Sequence, residues 1–297
     1  MVDNFDLFEN KKSNLLEGEK KYVLHPFVKW AGGKTQLLDK LKEYLPESFG
    51  TLYEPFVGGG SFFLSLGLND VHINDYNEEL IDAYDCFKNI DFFNKLKSEL
   101  KKHENSHCEE YYYKIREMDR EEGFSSFPPY IHAARLIYLN KACFNGLYRV
   151  NAKGYFNVPF GKKESVSTFN ETNFNNLLNY FLQNKVTVTN IDFEEATKDA
   201  KSGDLVYFDP PYDALDSKNS FTSYSKNGFG RDEQLRLCSL YKELDGKGVY
   251  VMLSNHNTEF IRSIYKDFKI HVVNAKRMIN SDASKRGNVE EVIITNY

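Results

Sequence analysis

Asp204-Leu205-Val206-Tyr207-Phe208-Asp209-Pro210-Pro211-Tyr212 reads as an apolar strand that stops on a carboxylate, two prolines and an aromatic ring. Leu205 to Phe208 is a short β-prone run that follows the turn-forming residues Ser202-Gly203-Asp204. Proline cannot donate to a sheet ladder, so Pro210-Pro211 ends the strand and stiffens the residues that follow. Asp209 and Tyr212 are thereby expected just beyond the carboxyl end of a strand. In open α/β sheets that is where ligands bind.

A turn of this composition suits an exocyclic amine on a nucleobase. The amine lone pair is delocalised into the ring, so it is a poor nucleophile. Two acceptors on its hydrogens, the Asp209 carboxylate and a prolyl carbonyl, would draw it towards a tetrahedral, nucleophilic geometry. Tyr212 would offer a face on which an extruded base can stack. A strand-ending turn with a surface acid is the plainer reading, and the rest of the chain has to decide between them.

Upstream, Thr51-Leu52-Tyr53-Glu54 reads as a strand followed by Pro55-Phe56-Val57-Gly58-Gly59-Gly60-Ser61. The apolar pattern Phe62, Phe63, Leu64, Leu66 after it suits a helix start. Strand, glycine-rich turn and helix form the first unit of a nucleotide-binding sheet, in which backbone approaches a ligand closely and helix N–H groups face it. Val71-His72-Ile73-Asn74-Asp75 predicts a second strand ending in an acid, at the distance expected for a carboxylate that grips ribose hydroxyls. No strict G-x-G-x-x-G is present, which disfavours a dinucleotide enzyme.

Earlier still stands Lys29-Trp30-Ala31-Gly32-Gly33-Lys34. Its Gly-Lys-Thr end resembles a phosphate loop, but that motif needs glycine where Val28 stands. Residues 77 to about 140 carry helical periodicity. His103 and His107 could share a helix face beside Cys108, yet no further clustered ligands accompany them, so no metal site is expected. Phe127-Pro128-Pro129-Tyr130 imitates the later turn but lacks the acid, and reads as a helix boundary.

From Lys141 to Lys163 the chain carries Lys141, Arg149, Lys153, Lys162 and Lys163 and neither Asp nor Glu. Basic, amide and aromatic residues on loops punctuated by Gly and Pro suit phosphate contacts and base-edge readout. A βα rhythm then resumes, with Asp192-Phe193 just beyond the strand Val186–Thr189. Residues 215 to 231, polar and small with three aromatics, suit a loop that orders on a partner.

At 297 residues the chain is long enough for two lobes or one large α/β domain. Its formal charge of −5 excludes a global basic signature, so any nucleic-acid site must be local. The 24 Phe and 20 Tyr supply both core and stacking surfaces. Four scattered cysteines with no C-x-x-C, no long apolar run and a polar N-terminus lead us to expect a cytoplasmic protein with reduced thiols.

Taken together, these stretches resemble the Dam family of DNA adenine-N6 methyltransferases. The resemblance covers nearly everything after residue 25, and the set of motifs in this order is specific. It implies an α/β fold: a Rossmann-like sheet of the S-adenosylmethionine-dependent methyltransferases with an inserted, mainly helical target-recognition domain. The division expected is a flexible arm over 1–22, a catalytic domain over 23–77 and 166–297, and the recognition domain over 78–165. The resemblance implies a cofactor site lined by Trp30 and Lys34, with Phe56, Gly58, Gly59 and Gly60 beneath the methionine moiety and Asp75 on the ribose. It sets Asp192 and Phe193 beside the adenine of the cofactor and gives Asp209, Pro210, Pro211 and Tyr212 the catalytic turn.

On the DNA side the resemblance implies that Lys29 approaches the duplex and that Asn145, Arg149 and Pro159 read the site, usually GATC. Some relatives place an Arg-aromatic pair after Pro159-Phe160-Gly161. Lys162-Lys163 stand there instead, giving phosphate contacts without a planar fork. The expected partner is double-stranded DNA, with a restriction endonuclease paired in function but not in contact, and the protein a monomer. RNA adenine and cytosine-N4 methyltransferases, or a DNA-binding subunit without catalysis, are the alternatives.

Overall fold

The computed structural model describes residues 23–30, 37–214, 229–276 and 288–297. The arm before residue 23, Lys34 and residues 215–228 of the polar loop lie outside the described residues. The first half runs α1 (Leu38–Glu43), β1 (Leu52–Glu54), α2 (Ser61–Leu66), β2 (Asp70–Asn74), α3 (Glu78–Cys86), α4 (Ile90–Asn105), α5 (Glu109–Glu117) and α6 (Pro129–Ala142). The second half runs α7 (Glu171–Gln183), β3 (Lys185–Thr189), α8 (Phe193–Ala196), β4 (Leu205–Phe208), α9 (Arg231–Gly246), β5 (Tyr250–His256), α10 (Glu259–Ile264), β6 (Lys269–Lys276) and β7 (Asn288–Thr295).

The strands form one seven-stranded sheet in the order β3-β2-β1-β4-β5-β7-β6. The pairs from β3 through β5 are parallel, and β7 is antiparallel to both its neighbours. A parallel strand covered on both faces needs no polar alternation, which explains the unbroken apolar run Leu205–Phe208. Alternation instead sorts side chains between two cores. Leu205, Tyr207 and Met252 join one core with Phe62, Phe63, Leu80 and Leu136. Val206, Phe208, Val251 and Leu253 join the other with Leu237, Tyr241 and Ile261.

Strand order reverses between β1 and β4. From β1 the chain builds outward through β2 to β3, then returns to lay β4 on the opposite side of β1. Leu52 lies opposite Leu205 and Tyr53 opposite Val206, so Glu54 falls level with Tyr207 and Asp209 follows two residues on, close enough for the two carboxyls to interact. That reversal opens the crevice where ligands bind in such sheets.

Between β2 and β3 the chain is largely helical. Helices α3, α4 and α6 pack onto the first core, while Tyr112, Tyr138, Cys143, Phe156 and Val158 form a small third core. Arg135 on α6, 1% exposed, crosses this region with a hydrogen-bonded pair to Glu79 (2.7 Å) and another to Asp119 (2.7 Å). Buried charge is tolerated only when paired in this way. His132 bridges Asp82 (2.6 Å) and the Phe124 carbonyl (2.8 Å), and the Asp82 carboxylate raises its pKa. The Pro128-Pro129 pair opens α6 as its sequence suggested, with Pro129 at the first helical position. Helix α4 ends at Asn105, so His103 and His107 do not share a helix face; they bond to Tyr111 and Tyr138.

Candidate active site

The candidate site is built from the ends of β1, β2, β4 and β5. After Glu54 the chain turns through Gly58 at φ +49° and Gly60 at φ +73° before α2 begins. A Cβ on Gly58 would meet Trp30 Cδ1 at 2.7 Å, and one on Gly60 would meet the Tyr84 hydroxyl at 2.6 Å. Only glycine permits this close approach of backbone to ring and hydroxyl. The turn is held from outside: the Tyr84 hydroxyl donates to the Gly58 carbonyl (2.8 Å), and Asp75 accepts from the Gly58 amide (2.9 Å). Asp75 also accepts from the Asn77 amide (2.9 Å), and burial raises its pKa.

Asn74 fastens three strand ends together. Its amide nitrogen donates to the carbonyls of Pro55 and Ile191 (both 3.0 Å), and its oxygen accepts from Thr189 (2.9 Å) and the Ile191 amide (3.0 Å). Beyond β3, Asp192 caps α8 by accepting from the Glu194 amide (2.9 Å) and pairs with Arg236. Phe193 lies against Phe56 with ring centroids 5.4 Å apart, and Phe229 meets the Phe56 ring edge-on at 5.6 Å. These rings extend from Phe56, itself part of the glycine-rich turn.

Asp209 stands where β4 ends. Ser254 of β5 donates to its Oδ1 (2.7 Å), and the Tyr207 hydroxyl lies 3.0 Å from Ser254 Oγ. Glu54, 3% exposed, accepts from the Phe63 amide (3.1 Å) at the start of α2. Burial, reinforced by the nearby Asp209, pushes the Glu54 carboxyl well above the usual range. The Pro211 carbonyl accepts from Gln234 (2.8 Å), and the Asp213 amide donates to Asn255 (3.0 Å). Tyr212 donates its hydroxyl to Glu291 (3.0 Å), and His256 meets its ring edge-on at 4.8 Å. Burial, then Asp209 and Glu291, pushes the Tyr212 phenol well above its ordinary value.

The basic loop lies beyond α6. Asn140, 1% exposed, exchanges two hydrogen bonds with the backbone of Lys29 (2.8 and 2.7 Å) and donates to the Gly146 carbonyl (3.1 Å). Asn145 adopts φ +57° and is exposed, with Phe144 beside it 51% exposed. Arg149 is exposed and donates to the Asn157 side chain (2.7 Å) across a small hairpin. Pro159, Lys162 and Lys163 are exposed, and Lys163 donates to the Lys141 carbonyl. Burial and the charges of Lys29 and Lys163 lower the Lys141 pKa, so three cations meet here. Tyr148 stacks on Trp30 at 4.9 Å, joining this loop to the glycine turn.

A family model described as D12 class N6 adenine-specific DNA methyltransferase matches residues 30–279. The chain belongs to that family. It is an adenine-specific DNA methyltransferase that uses S-adenosylmethionine. It is 41% identical to the Type II methyltransferase M1.LlaDCHI of Lactococcus lactis subsp. cremoris, covering 96% of this chain and 99% of the relative. The Type II methyltransferase M.MjaIII of Methanocaldococcus jannaschii is 40% identical over 92% of this chain and 99% of its own. The DNA adenine methylase of Escherichia coli strain K12 is 35% identical over 90% and 93%.

The methyltransferase brings Trp30, Phe56, Gly58, Gly59, Gly60 and Asp75 together at the ends of β1 and β2, with Phe193 packed on Phe56 and Asp192 beside it. These residues fit S-adenosylmethionine: closely approached glycines, an acid at the second strand end and aromatic rings beside them. Asp209 to Tyr212 stand at the neighbouring end of β4. Lys29, Asn145, Arg149, Pro159, Lys162 and Lys163 gather on the basic loop and its flank. Four residues escaped the sequence reading: Glu54, Gln234, Ser254 and Asn255. The signal for the last two was a polar Ser-Asn-His at the end of an apolar strand. Among the described residues no group of three His, Cys, Asp or Glu is arranged to hold a metal ion, and no helix is long and apolar enough to cross a membrane.

Proposed function

We propose that the enzyme flips adenine out of double-stranded DNA and methylates its N6 within GATC. The observation that carries this reading is the neighbourhood of Asp209 and the glycine turn across the β1–β4 reversal. A donor held over Phe56, Gly58, Gly59 and Gly60 and a base offered to Asp209 meet at one point. Trp30, Lys34, Asp75, Asp192 and Phe193 complete the cofactor site. Bound S-adenosylmethionine supplies a methyl group already activated on a sulfonium, so the protein chiefly positions and orients.

Asp209 accepts one hydrogen of the target amine and also reaches the amino group of the cofactor. The Pro211 carbonyl is engaged by Gln234, so the prolyl carbonyl offered to the second hydrogen is that of Pro210. Tyr212, steadied by Glu291 and His256, gives the base a stacking face. Extrusion costs a few kcal/mol and is offset by this stacking and by contacts from residues 78–165, which act as the recognition domain. Asn145, Arg149 and Pro159 read base edges; Lys29, Lys162 and Lys163 hold phosphates. Residues 23–77 and 166–297 carry the chemistry.

The biological role we propose is protection of DNA in a restriction-modification system, supported by the Type II names of two relatives. The enzyme acts as a cytoplasmic monomer, its endonuclease sharing the site without touching it. The test is incubation with labelled S-adenosylmethionine and matched duplexes that contain or lack GATC, followed by nucleoside analysis. N6-methyladenine confined to the GATC duplex is expected. Label on cytosine N4, on RNA alone, or equally on both duplexes contradicts the reading.

A further inference from the structure

Tyr207 and Asp209 are two residues apart on an extended segment and project from the same face of the sheet. On the adjacent β5, Met252 lies opposite Tyr207, so Ser254 follows on that same face. All three side chains converge there. Ser254 is fully buried and donates to Asp209 Oδ1 at 2.7 Å, with the Tyr207 hydroxyl 3.0 Å behind it. A buried hydroxyl in an apolar strand costs free energy unless its hydrogen bonds are made. Here both partners are side chains, and one of them is the acid of the catalytic turn.

Burial beside Asp209 pushes the Tyr207 phenol well above its ordinary value, so it keeps its proton and is the donor to Ser254. The single Ser254 proton is then committed to Asp209. The prolines that follow Asp209 fix backbone φ at their own positions, but they leave the side-chain rotation of Asp209 open. An acceptor aimed at an amine hydrogen has to be held within a fraction of an ångström and about 10–20°.

We infer that Ser254 is a positioning residue: the chain Tyr207–Ser254–Asp209 fixes the plane of the carboxylate that receives the target amine. This rests on the reading of Asp209 as the amine acceptor. Glu54, Tyr212 and Glu291 surround the same group, and the Tyr212 hydroxyl also meets Ser254, so the serine touches both side chains of the turn. Loss of the Ser254 hydroxyl leaves the cofactor crevice and the basic loop intact while loosening the acceptor.

Steady-state methylation of a GATC duplex is to be compared for wild type, Ser254→Ala, Ser254→Thr, Tyr207→Phe and Asp209→Ala, with thermal unfolding as the control for folding. Removing a hydrogen bond to a charged group predicts a kcat loss of about 10- to 100-fold in Ser254→Ala at saturating cofactor, with KM for DNA within about threefold. Ser254→Thr keeps the hydroxyl and is expected to recover most of the rate. Tyr207→Phe removes only the outer donor and is expected to lose about 2- to 10-fold in kcat. A folded Ser254→Ala with kcat within twofold of wild type overturns the inference, as does a loss carried by KM for DNA or a folded Ser254→Thr as slow as alanine. If threonine does not fold, Tyr207→Phe at wild-type rate overturns it. Asp209→Ala separates the two claims: near-normal turnover there defeats the reading of Asp209 itself, whereas its inactivity beside an active Ser254→Ala defeats only the positioning role.

Discussion

The Asp209–Asp213 turn and the Phe144–Lys163 loop are held differently. Side chains from β5, β7 and α9 reach in to fasten the first: Ser254 on Asp209, Gln234 on the Pro211 carbonyl, Asn255 on the Asp213 amide and Glu291 on Tyr212. The second has a backbone framework, with Phe144 bonded to Pro159, Asn157 to Arg149 and Gly161 to Ala142. Outside side chains meet its main chain rather than its functional groups: Tyr112 on the Val158 carbonyl, Asn140 on the Gly146 carbonyl and Asp119 on the Phe156 amide. Its cations and amides project outward. The difference follows from what each region handles. An amine hydrogen demands a fixed acceptor, while a duplex demands side chains able to reach phosphates and base edges.

If the division is real, changes in the loop alter where the enzyme acts, and changes at the sheet edge alter whether it acts. The largest loop effect is expected at Arg149. Arg149→Ala should narrow the ratio of kcat/KM for GATC over singly altered sites by about 10- to 100-fold, the worth of one good base contact. Equal losses on every duplex would turn Arg149 into a phosphate contact and blur the comparison. On the other side, Gly58→Ala forces an alanine into φ +49° with its Cβ 2.7 Å from Trp30. Calorimetry should show cofactor affinity lowered by about tenfold or more, with DNA binding little changed.

Smaller effects come from single cations and from the frame. Lys163→Ala should weaken binding to all sequences about two- to fivefold and reduce the slope of log K against log salt by about one. A change in site preference instead would make it a reader. His132→Gln tests a buried anchor in the first turn of α6. The Asp82 carboxylate raises the folded-state pKa of His132 above its ordinary 6.5. A raised pKa means that the folded state holds the proton more tightly. Its stabilising contribution is therefore complete below about pH 6.5 and fades as pH rises through the raised value. The difference in melting temperature between wild type and His132→Gln should be a few degrees at pH 6 and shrink towards pH 9.

Local chemistry made much of this legible in the sequence. A strand that ends on Asp-Pro-Pro-Tyr, a turn of three glycines and a run of cations without acids each carry their meaning within a dozen residues. The partners that lock the turn do not. Gln234 is 23 residues from Pro211, and Glu291 is 79 from Tyr212, so no periodicity links them. Asn140 binds Lys29 across 111 residues. Asp75 was expected for the ribose, and the fold adds that its oxygens also hold the Gly58 amide of the glycine turn and the Asn77 amide that follows β2. A carboxylate has lone pairs for both tasks. The raised pKa of Glu54 was invisible because it depends on burial and on a neighbour 155 positions away, Asp209.

The central claim is that Asp209 turns a poor amine into a nucleophile without being the source of affinity. The most direct measurement is single-turnover methyl transfer by Asp209→Ala to a GATC duplex, alongside its dissociation constant for that duplex. The account predicts a rate at least about 1,000-fold below wild type, with DNA affinity retained within about tenfold because phosphate contacts dominate it. A variant that transfers methyl groups near the wild-type rate, or that loses DNA binding in proportion to its rate, would contradict it.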